Sequence, residues 1–276
     1  MTLYPTKLAL GFILSFVIAA AAYRAHSLSP SGAVGAILVG TIIFGLGGWA
    51  WGLLLIAFFV SSSALSHFRG GRKAGLAEKF AKTGRRDIAQ VLANGGWGAS
   101  LVLLALVIPE RWPIFAAFAG AMAAVNADTW ATELGVLNPR PPRLITTGKP
   151  VAVGTSGAVS LWGSAAGAAG ALLIALLAVL LSPFVGAVPA TPLLWLPVAA
   201  WLGGVGGALV DSLLGASVQG IYWCERDQKE TEKRIHSCGE RTRLLRGWAW
   251  LDNEWVNVVC SIVGSAIAWL LWVFCP

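Results

Sequence analysis

The hydrophobic positions fall into long runs separated by short polar connections. Apolar runs lie at about 7–25, 31–47, 49–67, 91–109, 113–136, 157–182, 193–219 and 254–274, and none carries more than two Asp, Glu, Lys or Arg residues. Crossing a bilayer core takes about 20 apolar residues in a helix, and in lipid the backbone must satisfy its own hydrogen bonds. The pattern therefore predicts an all-α polytopic membrane protein with about eight transmembrane helices. The second and third runs are separated only by Gly47-Gly48, which reads as a tight hairpin. The first run reads as a true span, because no small-residue cleavage site precedes a soluble domain. The whole of 1–276 is expected to be a single integral membrane domain, with polar loops at about 69–90, 138–156 and 220–253. Within the first loop, 74–89 places Leu76, Phe80 and Ile88 among basic residues, as in an interfacial amphipathic helix or an ordinary solvated one.

Charge orients this bundle. With 57% hydrophobic and only 12% charged residues there is no room for a soluble domain, so the net charge of +7 must sit on loops. Arg69, Arg72, Lys73, Lys79, Lys82, Arg85 and Arg86 crowd the first loop, and Arg140, Arg143 and Lys149 the second. Arg226, Lys229, Lys233, Arg234, Arg241, Arg243 and Arg246 fill the third. Eight spans put all three loops on one face, which the positive-inside bias makes cytoplasmic, with both termini outside. As wholes, these loops read as topology signals or contacts with anionic membrane lipids, with no nucleic-acid partner. Cys224, Cys238, Cys260 and Cys275 make no disulfide framework. Cys224, His236 and Cys238 hint at zinc, but their spacing matches no standard site and a fourth ligand is missing.

Against this apolar background the acids stand out. Asn126-Ala127-Asp128-Thr129-Trp130-Ala131-Thr132-Glu133 ends the fifth run, and Asp211-Ser212 lies in a glycine-rich stretch of the seventh. Both runs head for the cytoplasmic face. An ionised group in lipid costs several kcal/mol or more, so intramembrane acids imply a partner and a function. Asp128 and Glu133 are five residues apart, offset by roughly 140° on a helix, and would share one ion only if the helix broke. A break near Ala127 would also bring Asn126 in. Gln219 lies two turns beyond Asp211 on the same face. Carboxylate, amide and hydroxyl oxygens are the hard ligands that suit Mg²⁺.

The second candidate is Gly154-Thr155-Ser156-Gly157, running into the sixth span with Lys149 and Arg143 upstream. A hydroxyl-capped helix start offers free N–H groups and a positive dipole end, hence an anion site, although no Walker A loop is present. Lower weight falls on Arg85-Arg86 with Asn94, and on Asn253 and Asn257 at the last span. Acids and anion-binding groups on one face together suit metal-assisted phosphate chemistry.

Ala93-Asn94-Gly95-Gly96, the Asn126 to Gly135 segment, Gly154-Thr155-Ser156-Gly157 with Val159-Ser160, and Asp211-Ser212-Leu213-Leu214-Gly215-Ala216 with Gln219 resemble the integral membrane family called domain of unknown function 92 over about 25–265. That family includes the plant phytyl-phosphate kinase of tocopherol biosynthesis. The resemblance implies transfer of a nucleoside triphosphate γ-phosphoryl group to an isoprenyl monophosphate (phytyl, geranylgeranyl or farnesyl). CTP is favoured over ATP as donor by analogy with polyprenol kinases.

The expected site then has Asp128 and Asp211 holding Mg²⁺, with Glu133 as a further acid. Lys149 and Gly154 to Gly157 cradle phosphates, and Arg85, Arg86 or Arg143 faces the acceptor. Asn126, Thr129, Asn94, Ser212, Gln219 and Asn253 line the pocket. The competing reading is a cation-coupled transporter using the same acids as ion sites.

Overall fold

The computed structural model describes residues 3–68, 84–187, 189 and 191–274. Arg69, Arg72, Lys73, Lys79 and Lys82, most of the 74–89 amphipathic segment and Cys275 lie outside the described residues.

Long helices follow the apolar runs: α1 (Leu3–Arg24), α2 (Pro30–Ile42, extended by a π-helical turn Ile43–Gly47), α3 (Trp49–His67), α4 (Ile88–Leu104), α5 (Arg111–Gly135), α6 (Leu161–Leu180), α7 (Trp195–Ser217) and α8 (Asn253–Phe274). All except α4 are long and apolar enough to cross a membrane, which makes seven among the described residues. Helix α4 is shifted relative to the 91–109 run. A capping box between Asp87 and Gln90 starts it at Ile88, and the chain turns after Leu104, ahead of Pro109. The chain turns at Gly48, whose φ of +90° is a conformation that L side chains rarely adopt, but α2 packs on α1 and α4 and not along α3 as a tight hairpin would.

The polar loops are not formless, and here the all-helical expectation needs an addition. Strands β1 (Arg143–Leu144) and β2 (Ala158–Val159) pair antiparallel. The third loop folds into a three-stranded antiparallel sheet, ordered β4-β3-β5, from β3 (Ile221–Cys224), β4 (Lys229–Thr231) and β5 (Arg243–Arg246).

Helix α5 is the axis of the bundle. Its residues are buried without interruption from Ile114 to Ala127, so it is apolar on every face and packs against α6, α7 and α8. Small residues on α5, α7 and α8 let the backbones approach closely, which is how membrane helices gain packing where lipid removes any hydrophobic drive. Helices α1, α2 and α4 form a second group, and α1 presents Leu10, Phe12, Ile13, Phe16 and Val17 outward, as a lipid-facing helix should.

Candidate active site

Close packing of three helices brings the two intramembrane aspartates together. At Gly207 of α7 an added Cβ would lie 2.6 Å from Ala124 Cβ of α5 and 2.6 Å from the Cys260 carbonyl oxygen of α8. A Cβ at Gly264 of α8 would also lie 2.6 Å from Ala124 Cβ. One turn on from this three-way contact, in the direction α5 and α7 both run, stand Asp128 and Asp211, with Cys260 beside them on the opposed α8. The side-chain carboxyls of Asp128 and Asp211 meet within hydrogen-bonding reach. Asp211 Oδ2 is buried and has no hydrogen-bond partner among the described residues. Two facing carboxylates with no donor between them must share a proton or hold a cation. Their oxygens and the unpartnered Oδ2 match the ligands of a hard divalent ion such as Mg²⁺.

A third acid approaches from the sheet. Glu232 lies close enough to Asp211 for their charges to interact. It accepts a hydrogen bond from Gln219 Nε2 at 3.0 Å, and Gln219 Oε1 accepts one from Ser156 at 2.8 Å. Gln219 is 1% exposed, so this relay is built into the fold. Arg246 of β5 ties the same parts together, donating to the carbonyl oxygens of Gly215 (2.8 Å) and Ser156 (3.4 Å). Burial lowers the Arg246 guanidinium from its ordinary pKa, and Glu230 and Glu232 oppose that shift. A cavity of about 340 Å³ lies here, between Val151 to Ser156 and the β3–β4 hairpin.

The Gly154–Gly157 segment does not open a helix, contrary to the sequence expectation. Gly154 and Gly157 have φ of +80° and +77°, and the true cap of α6 is Ser160, whose Oγ accepts from Gly163 N–H. The segment is a loop seated on the end of α7, where a Cβ at Gly157 would lie 2.2 Å from Ala216 N. Thr155 and Ser156 line the cavity, but Lys149 does not. Lys149 is exposed at a turn tip beside Arg143, whose guanidinium donates to the Gly148 carbonyl at 2.8 Å.

Helix α5 continues unbroken to Gly135, so Glu133 and Asn126 turn away from the aspartate pair. Glu133 accepts from Ser66 Oγ of α3 at 2.6 Å and attracts Arg86. Arg86 donates to Ser62 and Ser63 Oγ, each at 3.0 Å, and lies over the Phe58 and Phe59 rings. Burial pulls its guanidinium down to about 10, against the attraction of Glu133, so it remains a cation at neutral pH. Asn126 is wholly buried, donating to the Gly170 carbonyl (2.8 Å) and accepting from Ser61 Oγ (2.9 Å). This is an interhelical bridge, which corrects its expected place in the pocket lining.

The remaining candidates are scattered. Thr129 bonds back to the Val125 carbonyl, and Ser212 is half-buried next to Asp211. Arg85 is exposed, paired with His26 and close to the Tyr23 ring. Asn94, Gln90 and Arg86 line an apolar cavity of about 70 Å³ between α1, α2, α3 and α4. Asn253 begins α8, where its carbonyl accepts from Asn257 at 2.9 Å. Sequence reasoning missed the serines of α3, together with Glu232, Arg246 and Cys260. The run Ser61-Ser62-Ser63 with Ser66 was the one available signal, since four hydroxyls within six residues are unusual in an otherwise apolar helix.

A family model described as Integral membrane protein DUF92 matches residues 13–265. Over 94% of each chain, the sequence is 34% identical to Protein PGR of Arabidopsis thaliana. It is 30% identical to an uncharacterized membrane protein of Methanocaldococcus jannaschii, over 96% of this chain and 94% of that one. Protein VTE6, chloroplastic, of Arabidopsis thaliana is 28% identical over 88% of this chain and 65% of its own. No solved structure matches. The family match takes in all the segments that build the aspartate pair and its surroundings, and the chain belongs to the integral membrane protein family DUF92.

Proposed function

We propose that this protein transfers the γ-phosphoryl group of a nucleoside triphosphate, CTP favoured, to an isoprenyl monophosphate, releasing the isoprenyl diphosphate and the nucleoside diphosphate. The observation that carries this reading is the meeting of Asp128 and Asp211 from separate helices, with an unpartnered oxygen, beside a loop-lined cavity. Family membership agrees, since the sequence resemblance is to a family that includes a phytyl-phosphate kinase.

In this reading Asp128 and Asp211 hold Mg²⁺, and Glu232 completes the acidic wall. The ion supplies charge neutralisation for the triphosphate. Gln219 and Ser156 fix the loop against α7, so the cavity keeps its shape as the nucleotide enters. The isoprenyl tail lies against the apolar helices with its phosphate beside the aspartate pair, while Arg86, bonded to Ser62 and Ser63 next to Glu133, stays apart from the reacting groups. That phosphate is already anionic near neutral pH, so its oxygen attacks the γ-phosphorus as the bond to the β–γ bridging oxygen breaks, without a strong general base. Positioning and electrostatics supply the acceleration. The site faces the cytoplasm by the charge bias of the loops.

The test is phosphoryl transfer by purified protein with Mg²⁺, offering CTP and ATP separately with phytyl, geranylgeranyl and farnesyl monophosphates. Diphosphate product that vanishes in Asp128→Asn and Asp211→Asn supports the reading. No product with any pair, from folded protein, overturns it and leaves the acids as ion sites of a transporter.

A further inference from the structure

Away from the aspartate pair, the small sheet carries a second cluster of ligating groups. Cys224 ends β3, and Asp227 follows in the turn to β4, giving a Cys-x-x-Asp elbow. A second elbow is His236-x-Cys238-Gly239, closed by hydrogen bonds from His236 N–H to the Glu240 carbonyl and from Gly239 N–H to the His236 carbonyl, each 2.9 Å. Gly239 has φ +86°, a conformation that suits glycine at this turn. The elbows face each other, and the four ligand atoms all lie within 4.8 Å of one another. The missing fourth ligand of the sequence reading is thus Asp227, a residue that spacing rules built on Cys and His do not look for.

The distances have the proportions of a tetrahedral site. Zinc bonds of about 2.3 Å to sulfur and about 2.0–2.1 Å to nitrogen or oxygen imply tetrahedral edges of about 3.8 Å (S to S), 3.5 Å (S to N) and 3.3 Å (N to O). The observed separations are 3.6 Å for Cys224 Sγ to Cys238 Sγ, 3.3 Å for His236 Nδ1 to Cys238 Sγ, and 3.0 Å for His236 Nδ1 to Asp227 Oδ2. Cys224 and His236 are buried at 0% and 3% exposure, and both cysteines are free. The other imidazole nitrogen, Nε2, is buried without a partner among the described residues, so the ring is oriented by what Nδ1 reaches.

We propose that Cys224, Asp227, His236 and Cys238 bind one Zn²⁺ as a closed structural site. Two thiolates, an imidazole and a carboxylate suit zinc, and four protein ligands leave no open position for chemistry. A cation at the centre would turn the crowding of the Asp227 carboxylate and the two cysteine sulfurs into ligation. The site fastens the β3–β4 turn to the connection that leads into β5, within the sheet that brings Glu232 and Arg246 to the end of α7. This proposal stands apart from the kinase reading, because it concerns different residues and a different ion.

The test uses full-length protein purified in detergent without chelator. Mass spectrometry of the metal content is expected to find about one zinc per chain. Cys238→Ser and His236→Ala should lose it, and Cys260→Ser, outside the cluster, should keep it. After chelator removal of zinc, cobalt(II) added to the wild-type chain should give thiolate charge-transfer and intense tetrahedral d–d bands. That readout needs no variant to fold. Wild-type protein that holds neither zinc nor thiolate-bound cobalt, or that carries a native Cys224–Cys238 disulfide, overturns the proposal.

Discussion

Asp211 has a buried oxygen with no partner among the described residues, and the group it faces is another carboxylate. An amide in its place would donate to Asp128 and remove the need for a cation. In chelator, Asp211→Asn is therefore expected to be more stable than wild type by about 2 kcal/mol, the scale of a hydrogen bond to a charged group. Added Mg²⁺ should raise the melting temperature of the wild type and leave that of the variant unmoved. Activity should fall on the order of 100-fold or more in the same variant, as when a preorganised electrostatic group is removed. Equal Mg²⁺ stabilisation of both proteins would sink the ion assignment. Asn126 makes the opposite case. Its side chain bridges α3, α5 and α6 without reaching the pair, so Asn126→Leu should lower stability by about 1 kcal/mol and leave KM for nucleotide unchanged. A large rise in KM would return Asn126 to the pocket.

Helix packing decides which acids meet. Gly203, Gly204 and Gly207 make close helix contacts, but glycine density in the sequence does not name the partner. A 3.6-residue period reports which residues share a face, and only the three-helix contact at Gly207, Ala124 and Gly264 pairs Asp211 with Asp128. Gly207→Val is expected to force α7 from α5 and α8, costing about 1–3 kcal/mol and abolishing activity with both acids still present. Gly206→Ala is the contrast, because its Cβ would meet only the flexible end of Ile267. Thermal melts and transfer assays on the two variants test this directly, and similar losses in both would refute it. The same limit explains the misplaced start of α6. Gly154-Thr155-Ser156-Gly157 has the composition of a helix cap, and sequence alone does not show that positive φ at both glycines bends it into a loop against Ala216. The serines of α3 escaped notice because a hydroxyl that bonds its own helix backbone sits cheaply in an apolar span, as Ser62 does to the Phe58 carbonyl at 2.6 Å.

The whole bundle has two unlike ends, and this much was legible from the alternation of apolar runs and basic loops. At one end Ser29 N–H donates to the Arg86 carbonyl, Arg86 reaches Ser62 and Ser63, Ser66 reaches Glu133, and Gly157 packs on Ala216. The connections after α1, α5 and α7 and the residues leading into α4 therefore converge there. At the other end Trp112 stacks on Trp272 with ring centroids 6.0 Å apart and donates to the Ala187 carbonyl. What hydropathy could not supply was the folded content of the polar loops. Glu232 and Arg246 reach the site only because a sheet carries them, and strands of three and four residues leave too weak a pattern to read. The proposed cytoplasmic facing of the crowded end rests on charge, since Arg140, Arg143 and Lys149 lie there. A single cysteine at exposed Arg140 or Lys149 should react with a membrane-impermeant maleimide in inside-out vesicles and stay silent in right-side-out ones, above the wild-type background. A cysteine at exposed Glu110, beside Trp112, should show the reverse. Labelling of both positions from one side would break the bundle as described. An inverted pattern would keep the bundle but turn the aspartate pair away from cytoplasmic nucleotide, and the kinase reading would fall with it.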